Sequence, residues 1–298
     1  MTSFSPRKAA LWMTGAILSF SLMAIAGREL GGHLDTFEVL LYRSAFGILI
    51  VLAVGKMCNS LGTIGTDKLR LHFVRNVFHF TGQNLWFYAV TVVPLAQLFA
   101  FEFTSPLWVI VLAPIFLKER LSVVKVVAAL IGFGGILLIA NPQEIVSDPA
   151  ILAAASSAIF FAGMVMTTKK LTGTQSTTSI LFWLVTMHFV FGLVCASLDG
   201  NIAVPQGIAI GYVALVGICG LAGHLCITNA LKLAPASMVM PFDFLRLPFI
   251  AVVGFLLYGE AVSAYFVLGA GMVLGANALI VRSESQKRKL AEHNMQLS

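Results

Sequence analysis

The sequence predicts an all-α integral membrane protein whose ten transmembrane helices form two inverted five-helix repeats. Three observations carry that expectation. First, 58% of the 298 residues are hydrophobic, only 11% are charged and the mean hydropathy is +0.92, whereas soluble chains average about 25% charged residues. Second, the stretch Pro94–Arg120, PLAQLFAFEFTSPLWVIVLAPIFLKER, returns at a constant offset of 141 as Pro235–Ala261, PASMVMPFDFLRLPFIAVVGFLLYGEA. Pro94 falls on Pro235, Phe101 on Phe242, Glu102 on Asp243, Phe103 on Phe244 and Glu119 on Glu260. Apolar matches are cheap in so greasy a chain, but a proline and two acids in ungapped register mark an internal repeat. Third, with a cytoplasmic N-terminus, sixteen Lys and Arg fall on inner segments against Arg28 alone in the outer loops. That bias sets topology.

At about 20 residues per span, the apolar runs give spans near 9–27, 36–55, 71–92, 95–117, 122–140, 149–168, 177–197, 207–231, 236–258 and 262–281. Five spans per copy is an odd number, so the second copy enters the bilayer from the opposite side. Residues 1–141 form the first repeat, 149–282 the second and 283–298 a cytoplasmic tail, which places both termini in the cytoplasm. Inverted repeats with a site at their interface are the usual architecture for alternating access.

Along the chain, Arg7-Lys8, an apolar run and Ala24-Ile25-Ala26 imitate a cleavable secretory signal. Its loss would remove the mate of residues 151–171, so the run is expected to stay as the first span. That span is rich in small residues, which favour close helix packing. The second span buries Arg43, whose repeat mate is Leu184; an arginine inside a span is costly unless it is paired or wet. A Gly-rich polar link, Lys56–Arg70, leads to the third span, which carries His79, Gln83, Asn84, Trp86 and Tyr88. His79 and Gln83 share one helical face.

In the fourth span, Pro106 lies four residues after Glu102 and has no N–H to give to the carbonyl of residue 102. An acid and a freed carbonyl are therefore expected at one level. In the ninth span Pro241 and Pro248 bracket Asp243 and Arg246, so that helix too is expected to bend or open around its acid. The fifth and tenth spans carry Gly and Ala motifs, including Gly271-x-x-x-Gly275, suited to packing between the halves or in a homodimer. The seventh holds His188 and the eighth His224, the mate of Gln83. The sixteen-residue tail is charged and expected to be solvated or frayed.

Other classes fall away. The net charge of +6 is scattered through short loops and forms no stripe for nucleic acid. The four cysteines show no C-x-x-C and no clustering with histidine, so neither a zinc site nor a disulfide framework is expected. Lone histidines in apolar spans outnumber haem pairs, and no cofactor is expected. No H-E-x-x-H or hydrolase motif points to an enzyme. What remains as candidate substrate or coupling residues is Glu102, Asp243, Arg246, Arg43, Gln83, Asn84, Trp86, Tyr88, Phe101, His79 and His224. At ~1.5 Å per residue, Glu102 lies ~10 Å from the outer surface and Asp243 a similar depth from the inner one. Two pairings are geometrically permitted: Glu102 with Arg43 and Asp243 with Arg246. Glu119 and Glu260 fall at span ends and read as water-exposed charges complementing the next helix start.

Ten spans in two halves, closed by YAVTVVPLAQLFAFEFTSPLWVIVLAPIFLKERL and LKLAPASMVMPFDFLRLPFIAVVGFLLYGEAV, resemble the EamA-type transporters of the drug/metabolite transporter superfamily. The resemblance spans roughly residues 10–282 and rests on the Pro94 and Pro235 turns and the Glu119 and Glu260 ends; Lys118 stands where the family usually has glycine. It implies a bacterial inner-membrane carrier or exchanger of small metabolites, with a central cavity lined by both halves. Acids, arginines and the aromatics Trp86, Tyr88 and Phe101 suit a zwitterionic or amphipathic solute such as an amino acid or its derivative, moved by alternating access and coupled to protons. A membrane sensor or assembly scaffold is the competing expectation.

Overall fold

The computed structural model describes residues 6–105, 107–109, 111–112, 123–139, 148–198, 200–233 and 245–297. These residues form ten α-helices: α1 (Pro6–Glu29), α2 (Thr36–Met57), α3 (Leu69–Val92), α4 (Leu95–Glu102), α5 (Val123–Ile139), α6 (Pro149–Thr172), α7 (Thr177–Ala196), α8 (Ile208–Leu233), α9 (Arg246–Tyr258) and α10 (Ala264–Leu297). A single 3-10 turn covers Leu61–Thr63, and no strand occurs among the described residues. Helices α1, α2, α6, α7 and α8 are each long and apolar enough to cross a membrane, while α5, α9 and the apolar part of α10, Ala264–Ile280, are shorter. Large apolar side chains such as Leu11, Leu49, Leu130, Leu256 and Val267 are exposed around the bundle. A perimeter of that kind suits hydrocarbon and not water.

Local signals set the helix starts. Asp35 accepts from the Glu38 N–H at 2.8 Å while Glu38 accepts from the Asp35 N–H at 2.9 Å, a reciprocal cap on α2. Asp148 caps α6 ahead of Pro149, and Ser176 caps α7. Gly259, in the left-handed region at φ 65°, ends α9 and turns the chain back.

The register of the contacts shows the inversion directly. At an offset of 141, α2 corresponds to α7, yet Gly47 meets Val185 and Gly192 meets Leu41, so the two mates run antiparallel. Likewise Leu95 of α4 lies beside Gly254 of α9 while Glu102 reaches Arg246. In the α5 and α10 pair, Gly134 meets Met272 and Gly269 meets Ile139. The remaining helices pair in exchange: α1 packs on α8 and α3 on α6, and Arg75 opposite Thr168 with Gly82 opposite Phe161 again gives opposite directions. Copies of one fold facing each other in opposite senses are what an odd number of spans per repeat requires.

Helix α4 breaks after Glu102: Phe103 and Thr104 form a turn, and helical residues resume at 105, 107–109 and 111–112. The carbonyl of Glu102 accepts from Ser105 Oγ at 2.7 Å, that of Phe101 from Thr104 Oγ1 at 2.6 Å, and that of Phe103 from Asn277 Nδ2 at 2.8 Å. A freed carbonyl at the level of the acid is therefore present, and side chains answer it. Pro106 itself lies outside the described residues, as do Lys118, Glu119, Arg120, Pro235, Pro241 and Asp243.

Two expectations need correction. The tail is not frayed, because α10 continues to Leu297; its Glu, Gln, Lys, Arg, Leu and Ala content is strongly helix-forming. Nor do Gly271 and Gly275 serve packing among the described residues, since a Cβ at either would meet none of them within 4 Å. The close approach of α5 to α10 uses Gly135 and Gly269, where an added Cβ would lie 2.6 Å and 2.5 Å from the partner's carbonyl oxygen.

Candidate functional site

Glu102 ends α4 at the break and Arg246 begins α9, so each charged group sits where its helix is interrupted. Arg246 Nη2 donates to Glu102 Oε1 at 2.8 Å, with 6% and 17% of the two side chains exposed. The other carboxylate oxygen accepts from Trp86 Nε1 at 2.9 Å. The Arg246 guanidinium lies 5.0–5.2 Å from the ring centroids of Phe99, Phe103 and Phe20. These rings provide a low-dielectric wall and a π face to the cation. An ion pair thus bridges corresponding helices of the two halves.

Beyond Phe20 lies a second polar group. Phe20 meets His224 edge-on at 5.4 Å, and His79 lies 5.3 Å from His224 and 4.9 Å from His188. Arg75, one turn before His79 on α3, donates to Asn76 Oδ1 at 2.7 Å and to Thr168 Oγ1 at 3.3 Å. Arg43 on α2 is 4% exposed and Arg75 is 2% exposed. The positive charges of both arginines reach His79, His188 and His224 and oppose each other. Within this group Arg43 Nη1, His79 Nδ1 and Gln83 Oε1 are buried without a hydrogen-bond partner.

At the end of the bundle where α1 finishes and α4 begins, Glu260 folds back across Gly254. One of its oxygens pairs with Arg28 and the other accepts from the Leu95 N–H at 2.8 Å, the first amide of α4. Arg28 also donates to the Val93 carbonyl at 2.8 Å, and Tyr258 donates to Glu29 at 2.8 Å. Glu260 is therefore no water-exposed charge: only 13% of its side chain is exposed, and it ties α1 and α4 to the end of α9.

The EamA-like transporter family model matches residues 7–141 and again 148–282. The chain belongs to this family. Its relatives include a riboflavin transporter of Rhizobium johnstonii, 30% identical over 94% of this chain and 93% of its own length. Another is a riboflavin transporter of Vibrio cholerae, 28% identical over 95% and 96%. An S-adenosylmethionine uptake transporter of Rickettsia felis is 25% identical over 92% of each chain. A solved crystal structure shares the fold at TM-score 0.63 and 20% identity, covering 93% of this chain and 97% of that one. The protein is an integral membrane transporter of a bacterial membrane and not an enzyme.

Against this EamA frame, the sequence-predicted residues divide. Glu102, Arg246 and Trp86 come together, His224 and His79 follow through Phe20, and Arg43 and Gln83 are buried. Glu102 pairs with Arg246 and not with Arg43, because the break in α4 turns the acid toward the start of α9. Asp243 lies outside the described residues, so its pairing with Arg246 stays an expectation. Asn84 turns back on its own helix, with Nδ2 donating to the Phe80 carbonyl at 2.8 Å. Tyr88 is 45% exposed on the perimeter, away from both groups. Phe101 is fully buried but faces an apolar recess with Thr104, Trp108, Phe133 and Ile136. Arg75, Asn76 and His188 were not singled out as site residues. The 75, 79, 83 spacing, one turn apart along α3, is the signal that could have marked Arg75; Asn76 and His188 lie off that stripe.

Proposed function

We propose that this EamA protein carries a small zwitterionic or amphipathic organic solute across the inner membrane by alternating access, with both termini cytoplasmic. The relatives' riboflavin and S-adenosylmethionine are its first test solutes, each a flat ring system with a polar chain. The observation that supports this reading best is the Glu102–Arg246 pair, held between corresponding helices of two antiparallel halves and lined by Trp86, Phe20, Phe99 and Phe103. An ion pair at such a junction exchanges partners when a charged solute or a proton enters, because a buried acid is a recognised relay element. The Glu260 network supplies the other half of the cycle, a set of contacts that holds one end shut between α1, α4 and α9.

Counterflow in proteoliposomes tests it. Vesicles loaded with unlabelled riboflavin or S-adenosylmethionine should accelerate entry of the labelled compound, and Glu102→Gln should abolish any dependence on a proton gradient. If a panel of these two solutes and the common amino acids shows no trans-acceleration, the carrier reading fails and the scaffold reading takes its place.

A further inference from the structure

The basic group beside the Glu102–Arg246 pair makes no ion pair among the described residues: no carboxylate oxygen of theirs lies within ion-pair distance of Arg43 or Arg75. Arg75 spends its donors on neutral acceptors, Asn76 Oδ1 and Thr168 Oγ1, and Arg43 keeps Nη1 with no acceptor at all. Arg43 lies in a helix long and apolar enough to cross a membrane and Arg75 in the second turn of α3, at 4% and 2% exposure, and the charge of each acts on the same three imidazoles. Two like charges this deep repel one another, and a folded chain keeps them there only if something else offsets the cost.

The duplication does not explain them either. Arg43 corresponds to Leu184 and Arg75 to Val216, both apolar and fully buried. One half of the molecule has therefore placed cations where the other has plain core. The lack of a side chain at Gly220 lets the Arg43 guanidinium pack against α8: it comes within 3.4 Å of where a Cβ on Gly220 would stand, and Met23 Sδ within 3.5 Å. His79 Nδ1 and Gln83 Oε1 end in the same interior without partners. A guanidinium fork and imidazole N–H groups are donors that oxyanions select, and the Gln83 amide adds a donor only through its Nε2.

We propose that Arg43 and Arg75, with His79, His188, His224 and Gln83, form a binding site for a carboxylate or phosphate group, so that the carried solute is an organic anion or a zwitterion held by its acidic end. As the substrate class of the carrier proposed above, the anion rests on the transport reading. A zwitterion bound in this way places its oxyanion on the arginine pole and turns its cationic end toward Glu102.

The test uses the purified full-length protein in detergent and reads thermal stability. Inorganic phosphate and benzoate serve as separate probes against chloride at matched ionic strength. Either probe should raise the apparent melting temperature of the wild type in a saturable way, and the stronger of the two identifies the oxyanion as phosphate or carboxylate. Arg43→Gln and Arg75→Gln should each weaken that binding at least about tenfold, the loss expected for one charge-assisted contact. Arg43→Gln without ligand should melt no lower than the wild type, since it removes an uncompensated charge; a purely structural arginine would give a large drop. Arg75→Lys, which keeps the charge and loses the fork, should retain part of the shift. No shift in the wild type beyond the chloride control, or equal shifts in wild type and both Gln variants, overturns the proposal. Saturable anion binding without counterflow of any solute would instead count against transport alone, and counterflow of neutral riboflavin without an anion shift would count against the anion site alone.

Discussion

Replacing Glu260 by glutamine should open the end of the bundle that its carboxylate closes. In the structure one oxygen neutralises Arg28 and the other receives the Leu95 N–H at 2.8 Å, an amide that no earlier turn of α4 satisfies. Glutamine keeps a carbonyl for one of these partners and loses the charge for both. A hydrogen bond to a charged group contributes ~1.5–3 kcal/mol and an anion at a partly buried helix start up to ~2 kcal/mol. Arg28 retains the Val93 carbonyl, so part of the loss is recovered, and a net cost of about 3 kcal/mol to the closed arrangement is reasonable. At about 1.4 kcal/mol per decade, the open arrangement then gains roughly 100-fold in population. A cysteine placed at Val93, which is 3% exposed behind the network, reports that change in a background lacking Cys58, Cys195, Cys219 and Cys226. Its reaction with a membrane-impermeant maleimide should accelerate by one to two decades in Glu260→Gln. Arg28→Gln should match it, and the double variant should add little, because both changes remove one interaction. Labelling rates that stay within about twofold of the parent, with Glu260→Gln merely melting earlier, would refute the latch.

Further expectations concern the core and the charged pair. Gly135→Val drives a side chain into the Gly269 carbonyl 2.6 Å from its Cβ and should cost at least about 2 kcal/mol, an overpacking penalty. Gly271→Val meets open space, and its melting temperature should stay near that of the parent. Asn277→Leu leaves the Phe103 carbonyl at the α4 break without its 2.8 Å donor and should lower stability by ~1–3 kcal/mol in a thermal melt. Trp86→Phe removes the donor to Glu102 Oε2 and should slow counterflow, whereas Tyr88→Phe, on the exposed perimeter, should leave the rate unchanged.

Much of the architecture was legible because it follows from quantities that a linear chain carries: apolar run length, an ungapped offset and the odd number of spans in each copy. The α4 break was legible for the same reason, since a missing N–H four residues beyond Glu102 is a covalent fact. Side-chain partners were less so. Depth along an axis brought Glu102 level with Arg43, but azimuth decided the pairing, and only the packing of α4 on α9 shows that the acid turns to Arg246. Tyr88 and Trp86 are two residues apart and about 200° apart around α3, so one reaches Glu102 while the other points outward. Glu260 was misjudged because the chain reverses at Gly259 and returns its carboxylate over Gly254, a long-range contact that no local pattern encodes.

The antiparallel register of α2 with α7, of α4 with α9 and of α5 with α10 has an ancestral consequence. In each pair a helix grips its own duplicate, so a free five-helix chain already carries the surface its partner needs. Two such chains inserted upside down relative to one another would fit before any fusion joined them. Arg43 and Arg75 stand in one copy alone, whereas two identical halves would have carried each of them twice or not at all.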